Sequence, residues 1–309
     1  MIKLSFLTLM RIATLMVACV LVGCGGASST VDPLVPTRVI AFGDAFSTVD
    51  SSGYATYSVN TSETNATVAS RIASIYGFTL KAVASSSAVI ASGTAYSYAA
   101  GTATSSATAT QISNYLANNT PGSKDLFIIT AGTQDIISAA PTNNTTAIAT
   151  AATTLTSAIQ TLTNAGAQYV VVMQPINVAR TPPFLALNGV RPAGTNASYN
   201  SYAQALSYDS GTACQSFSCL LSTKLNTAYP ATSSHQPILL VDLLSYFNLI
   251  TGTTNTGSAN TFSSYGVANP DLVVCSTAVP SCTTSTLAST STNQYTSTSW
   301  NYTNRSEEH

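Results

Sequence analysis

The sequence predicts an α/β fold, a three-layer, doubly wound parallel sheet, on three observations. Four short runs rich in Val, Ile and Leu, at 38–42, 125–130, 168–174 and 237–241, have the composition of parallel strands buried on both faces. Longer segments with helical start and stop signals lie between them. Hydrophobic residues make up 45% of the 309, enough to supply a substantial core.

Taken in order, the first strand, Arg38 to Phe42, runs into a Gly43-Asp44 turn. A helix is expected over Thr61 to Tyr76, with hydroxyl residues before Glu63 at its start and Gly77 at its stop. Asp125 to Thr130 is the second strand. A helix over Thr145 to Asn164 stops at Ala165-Gly166 and leads into the third strand, Gln168 to Gln174. The helical stretch from Tyr199 to Tyr229 is expected to break near Ser210-Gly211, ahead of the strand from Pro237 to Val241. Ser, Thr, Asn and Gly dominate Thr251 to Phe262 and the tail after Cys282, which read as loops.

Charged residues are 7% of the chain and the formal net charge is −1, against about 25% charged residues in an ordinary soluble domain. The surface is therefore built from Ser, Thr, Asn and Gln. It offers little charge for holding nucleic acid or anionic lipid, and no nucleic-acid partner is expected.

Lys3 and Arg11 flank and interrupt the apolar run Leu4 to Val22, which fits an export signal over residues 1–23. Leu21-Val22-Gly23-Cys24, followed by Gly25-Gly26-Ala27-Ser28-Ser29, resembles a bacterial lipobox. That resemblance implies cleavage before Cys24, lipid on its sulfur, a flexible tether over 24–37 and a place in the bacterial cell envelope, anchored to a membrane.

Of six cysteines, Cys19 leaves with the signal and Cys24 takes lipid, so Cys214, Cys219, Cys275 and Cys282 remain. An even remainder in an oxidising compartment suggests two disulfides, and local pairing, Cys214 with Cys219 and Cys275 with Cys282, is the cheapest of the three connectivities. The spacings do not match zinc-ribbon pairs and His235 is the one histidine nearby, so neither a metal nor a cofactor is expected.

Val39 to Ser47 reads V-I-A-F-G-D-A-F-S. It resembles the first block of the SGNH or GDSL hydrolases, Phe-Gly-Asp-Ser-Leu-Ser-Asp, with Phe42, Gly43, Asp44 and Ser47 matched and Ala45 in the place of the nucleophilic serine. Ser97 to Thr104 is similar to the second block, with Gln111-Ile112 after it, and Leu126 to Asp135 to the third. Val170 to Pro182 and the stretch from Val241 to Asn269 resemble the blocks that follow. Five motifs in order cover about 38–304, and the chain is identified as a degenerate member of that family. The resemblance implies a flavodoxin-like SGNH-hydrolase domain over 38–309, ending at Arg305 to His309 without the family's final helix.

The departures from the pattern fall on the chemistry. The resemblance puts the oxyanion donors at Gly101, Thr102 and Gln134, where glutamine replaces asparagine and moves the amide by about 1 Å. Tyr295 to Asn304 is the counterpart of the last block, with Ser299 at the aspartate and Tyr302 at the histidine. Alanine has no hydroxyl to activate, serine cannot charge-stabilise an imidazolium, and a phenol is a poor base at neutral pH. Ser47 belongs to the turn, His235 to a surface loop, His309 with Glu307 and Glu308 to a terminal cluster, and Asp44 with Asp135 forms the weaker candidate acid pair. The expectation is thus an inactive lipoprotein of an esterase/lipase family, whose old cleft takes a small ester, lipid or glycan. The competing expectation is a working esterase with an unconventional nucleophile.

Overall fold

In a computed structural model of the chain the described residues are 33–57, 66–181, 184, 197–209, 213–232 and 236–251. The chain divides into two units, 1–35 and 36–309, and of the first only 33–35 are described. In the second, six strands form one sheet: β1 (Arg38–Gly43), β2 (Leu80–Ala82), β3 (Thr94–Ser97), β4 (Leu126–Thr130), β5 (Tyr169–Met173) and β6 (Ile238–Val241). Their order is β2-β3-β1-β4-β5-β6 and every pairing is parallel.

The helices are α1 (Val68–Ile75), α2 (Ser105–Asn118), α3 (Thr133–Ala139), α4 (Thr145–Asn164), α5 (Ala197–Ser207), α6 (Phe217–Ala228) and α7 (Leu243–Thr251). Helices α2, α4 and α6 pack side by side on one face. On the other, Ala69 of α1 donates its N–H to the Phe46 carbonyl, and Phe46 packs with Leu243 and Phe247 of α7. From β1 the chain moves outward to β2, returns through β3, and then passes β1 to reach β4. Strand β1 is therefore the switch point, where such sheets open a crevice at their carboxyl ends.

Burial explains why these segments take these forms. All five residues of β4 and the last five of β1 are buried, as strands covered on both faces require. Helix α4 buries Ile148, Ala151, Ala152, Leu155, Ile159 and Leu162, one stripe at helical spacing, and begins where the Asn144 side chain accepts the Ala147 N–H. Under α2, the rings of Phe42, Tyr98, Tyr115 and Phe127 interlock with centroids 5.6–6.4 Å apart. At the opposite, amino-terminal end of the strands, buried Asp125 pairs with Arg38 and also accepts from Thr37 Oγ1 and Gly122 N.

Some boundaries differ from the sequence reading. Helix α1 begins at Val68, because Thr67 takes the capping role, accepting the Ser70 N–H at 2.9 Å; the earlier part of the expected helix, 61–65, lies outside the described residues. Strands β2 and β3 were not anticipated. They are short, and Lys81, Thr94, Tyr96 and Ser97 break any apolar run; pairing to β1 through β3 makes them strands. Residues 243–251 form α7, so Thr251 closes a helix rather than opening a loop. The break between α5 and α6 falls where it is expected.

Cys214 and Cys219 are bonded, with Cα atoms 5.5 Å apart; Cys275 and Cys282 lie outside the described residues, as does Cys24. The two sulfurs and a carboxylate oxygen of Asp209 lie within 4.8 Å of one another. Bonded sulfurs are not thiolates, however, and Asp209 is occupied in holding Ser216, the cap of α6, accepting from its N and Oγ. Among the described residues no helix is long and apolar enough to cross a membrane.

Candidate active site

Three loops meet at the carboxyl ends of β1, β3 and β4. The first starts at Gly43, whose φ of 124° is open to glycine and strained for other residues. Its N–H donates to Gln111 Oε1 at 2.6 Å and its carbonyl accepts from Gln111 Nε2 at 3.1 Å and from Ala100 N at 2.9 Å. One side chain of α2 thus fixes the turn after β1 and ties it to the loop after β3. The next residue, Asp44, donates its N–H to the Thr130 carbonyl at the end of β4, closing the third side.

Ala45 sits in this turn at 0% exposure. Ser47, two residues on, is equally buried; its Oγ lies 2.9 Å from Thr130 Oγ1 and its carbonyl accepts from Ser97 Oγ at 2.6 Å. It braces the first loop against the other two, and a threonine hydroxyl is no base for it.

The second loop carries Gly101 and Thr102. Thr102 is exposed. Gly101 is covered by the ring of Tyr57, so closely that a Cβ at Gly101 would overlap the phenol carbons and oxygen. Replacing Gly101 by Ala is expected to cost about 1–3 kcal/mol by overpacking against that ring. The cost should largely vanish in Gly101→Ala/Tyr57→Gly compared with Tyr57→Gly alone, a coupling read from urea midpoints.

The third loop follows β4. Gly132, at φ 110°, starts α3 with its Cα against Phe217, whose Cδ1 and Cζ would lie 2.7 and 2.8 Å from a Cβ there. Gln134, in the first turn of α3, is half-buried, and its amide makes no hydrogen bond within the described residues. Asp135 accepts from Ser105 N at 2.8 Å and Ser105 Oγ at 2.9 Å, at the start of α2. The two carboxylates thus hydrogen-bond to different turns, Asp44 to Phe46 N and Asp135 to Ser105, while the charge of Asp135 adds a small push to the rise of Asp44.

The electrostatics centre on Asp44. Burial pushes its carboxyl up to about 7, against the hydrogen bond from Phe46 N, which favours the ionised form. The hydroxyls of Thr130 and Thr133 lie near enough to favour the ionised form as well, although Asp44 Oδ2 and Thr133 Oγ1 are buried without a well-formed hydrogen bond. Both residues line a cavity of about 10 Å³, together with Phe46, Thr130, Met173, Gln174 and Leu243. That is space for one water. Asp135 is raised as well, by burial, with the Ser105 bonds working the other way.

The structure brings the loops of Gly43, Asp44, Ala45 and Ser47, of Gly101 and Thr102, and of Gln134 to one end of the sheet. Ser299, Tyr302, His235 and His309 lie outside the described residues. Sequence reasoning gave no role to Gln111, Tyr57 or Phe217. Gln111 stood in a quoted motif, but nothing in a sequence pairs it with the backbone of a residue so far away.

A parallel α/β sandwich with three loops joined at its switch point opens its crevice where those loops meet. The model of the GDSL-like lipase/acylhydrolase family matches residues 39–232, more than half of the chain, and the protein belongs to that family. No curated protein matches. Among solved structures, a member of the lipolytic protein G-D-S-L family from Veillonella parvula DSM 2008 is similar at 15% identity and a TM-score of 0.29, over 54% of this chain and 72% of that one.

Proposed function

We propose that this protein is a catalytically inactive GDSL-family lipoprotein, held at a bacterial membrane by lipid on Cys24. The observation that carries the reading is Ala45: a residue with no hydroxyl, fully buried, in the turn where the family presents its serine. Tyr57 over Gly101 and a cavity of about 10 Å³ at the neighbouring strand ends support it, since an acyl group and its tetrahedral intermediate need that space. Any ligand, whether a small ester, a lipid or a glycan, would meet the rim, where Thr102 is exposed and the Gln134 amide is unengaged by the described residues.

One observation favours the competing reading. A carboxyl brought up to about 7, as at Asp44, is tuned as a general base would be, and Ser47 is three residues away. Both side chains are sealed from solvent, though, and Ser47 Oγ faces Thr130 rather than Asp44.

The chain from Cys24 onward is expected to hydrolyse short-chain nitrophenyl esters no faster than the buffer. Ala45→Ser should leave it inactive, because the residues of a triad act as a unit. Turnover by the unmodified chain that disappears in Ser47→Ala would reject the reading.

A further inference from the structure

We propose that the amino-terminal end of the sheet is the face this domain lays against the lipid bilayer; the proposal rests on the reading of Cys24 as a lipid anchor. The domain begins at Pro36 and enters the sheet at the start of β1. Roughly a dozen residues separate Cys24 from that point, and a Gly/Ser-rich chain of that length reaches about 20 Å. Such a tether holds the domain near the membrane without choosing its orientation. Surface chemistry makes the choice.

The two ends of the sheet differ in that chemistry. Ile75 and Val89 are 77% and 79% exposed, and Tyr76 and Tyr169 are exposed as well. All four lie where strands begin. Ile75 and Tyr76 end the helix that leads into β2. Val89 precedes Ile90, whose carbonyl accepts from Arg38 Nη1 at the start of β1, and Tyr169 is the first residue of β5. Lys124 is exposed in the same set of loops, its carbonyl accepting the Thr37 N–H. A groove of about 240 Å³, with Phe78, Lys81 and Tyr96 in its wall, opens between the turn into β2 and the start of β3. Aliphatic side chains, tyrosines and lysines are the residues that settle in a headgroup layer.

The carboxylates lie elsewhere. Asp44, Asp135 and Asp242 follow β1, β4 and β6, Asp50 lies beside the last residue of β2, and Asp209 holds Ser216, the cap of α6, next to the Gly132 loop. Among the described residues from Pro36 on, Asp125 is the one carboxylate at the amino-terminal end, and Arg38 neutralises it. Asp44 and Asp135 are held toward the neutral form by burial, so the accessible carboxylates are those of Asp50, Asp209 and Asp242, and an anionic bilayer is met better by the end that carries Lys81 and Lys124. With so few charges the surface cannot hold the domain on a membrane alone; it orients a domain already anchored. The candidate site then faces away from the lipid.

Single-tryptophan variants test this in the lipid-bearing full-length protein. In a Trp300→Phe background, Tyr76→Trp and Tyr169→Trp report on the proposed face. Tyr246→Trp, on the first turn of α7 after β6 and 54% exposed, reports on the other end. The proteins are reconstituted in phosphatidylglycerol/phosphatidylethanolamine vesicles carrying brominated acyl chains. Tyr76→Trp and Tyr169→Trp should be quenched about threefold more than Tyr246→Trp, and Lys81→Glu/Lys124→Glu should narrow the gap. Protein that floats with the vesicles but shows equal or reversed quenching overturns the face and leaves the anchor standing. Protein that does not float contradicts the anchor, and the face with it.

Discussion

Gly43→Ala is expected to leave no stably folded protein. A Cβ at this residue would sit inside the Thr130 carbonyl group, 2.6 Å from its carbon and 2.7 Å from Thr130 Oγ1, and the backbone stands at φ 124°. Thr130 cannot retreat, because it ends the central strand β4, pairs with Gly43 in register, accepts the Asp44 N–H and has its hydroxyl against Ser47. The methyl would instead have to part β1 from β4 and break both bonds to Gln111. Displaced strands, a strained φ and two lost buried hydrogen bonds together exceed about 4 kcal/mol, a large part of the 5–15 kcal/mol that holds a domain of this kind. Urea unfolding checks it: a midpoint near that of the unsubstituted protein would contradict the described approach of β1 to β4.

The second large effect is a pH dependence set by Asp44. Its carboxyl rises from the ordinary 3.8 to about 7 on folding because it is buried. Below the unfolded value both states hold the proton and burial costs little. Between the two values the unfolded chain releases the proton while the folded chain keeps it, so stability falls as pH rises through this window and stays low above it. Asp44→Asn keeps an acceptor for the Phe46 N–H and removes the titration. The variant should match the parent near pH 4 and exceed it at pH 8 by on the order of 4 kcal/mol. Urea midpoints across this range decide the matter. Parallel curves for the two proteins would mean that Asp44 is solvated or differently paired.

Much of the sheet was legible because β1, β4, β5 and β6 are apolar runs, and α4 because its buried stripe has caps at both ends. Strands β2 and β3 were not legible: three or four residues with Lys81 and Thr94 among them are strands by virtue of their neighbours. The site divides the same way. That Ala45 stands in a Gly-Asp turn after a strand can be read from nine consecutive residues. Its complete burial, the Tyr57 ring on Gly101 and the Gln111 clasp on Gly43 depend on segments tens of residues apart, which no local pattern pairs. The pKa of Asp44 depends on the same enclosure. Gln134 illustrates the middle case, since the sequence shows the longer amide while only the fold shows that the described residues leave it unengaged.

Catalytic inactivity, as proposed, comes down to the lack of an activated serine in the turn after β1. Its most direct test is to treat the unmodified chain, from Cys24 onward, with a fluorophosphonate and weigh the intact protein. The account predicts an unshifted mass, because Ala45 offers no oxygen and Ser47 is sealed against Thr130. A stoichiometric phosphonyl adduct on one serine, abolished by substituting that residue and by prior unfolding, would contradict it.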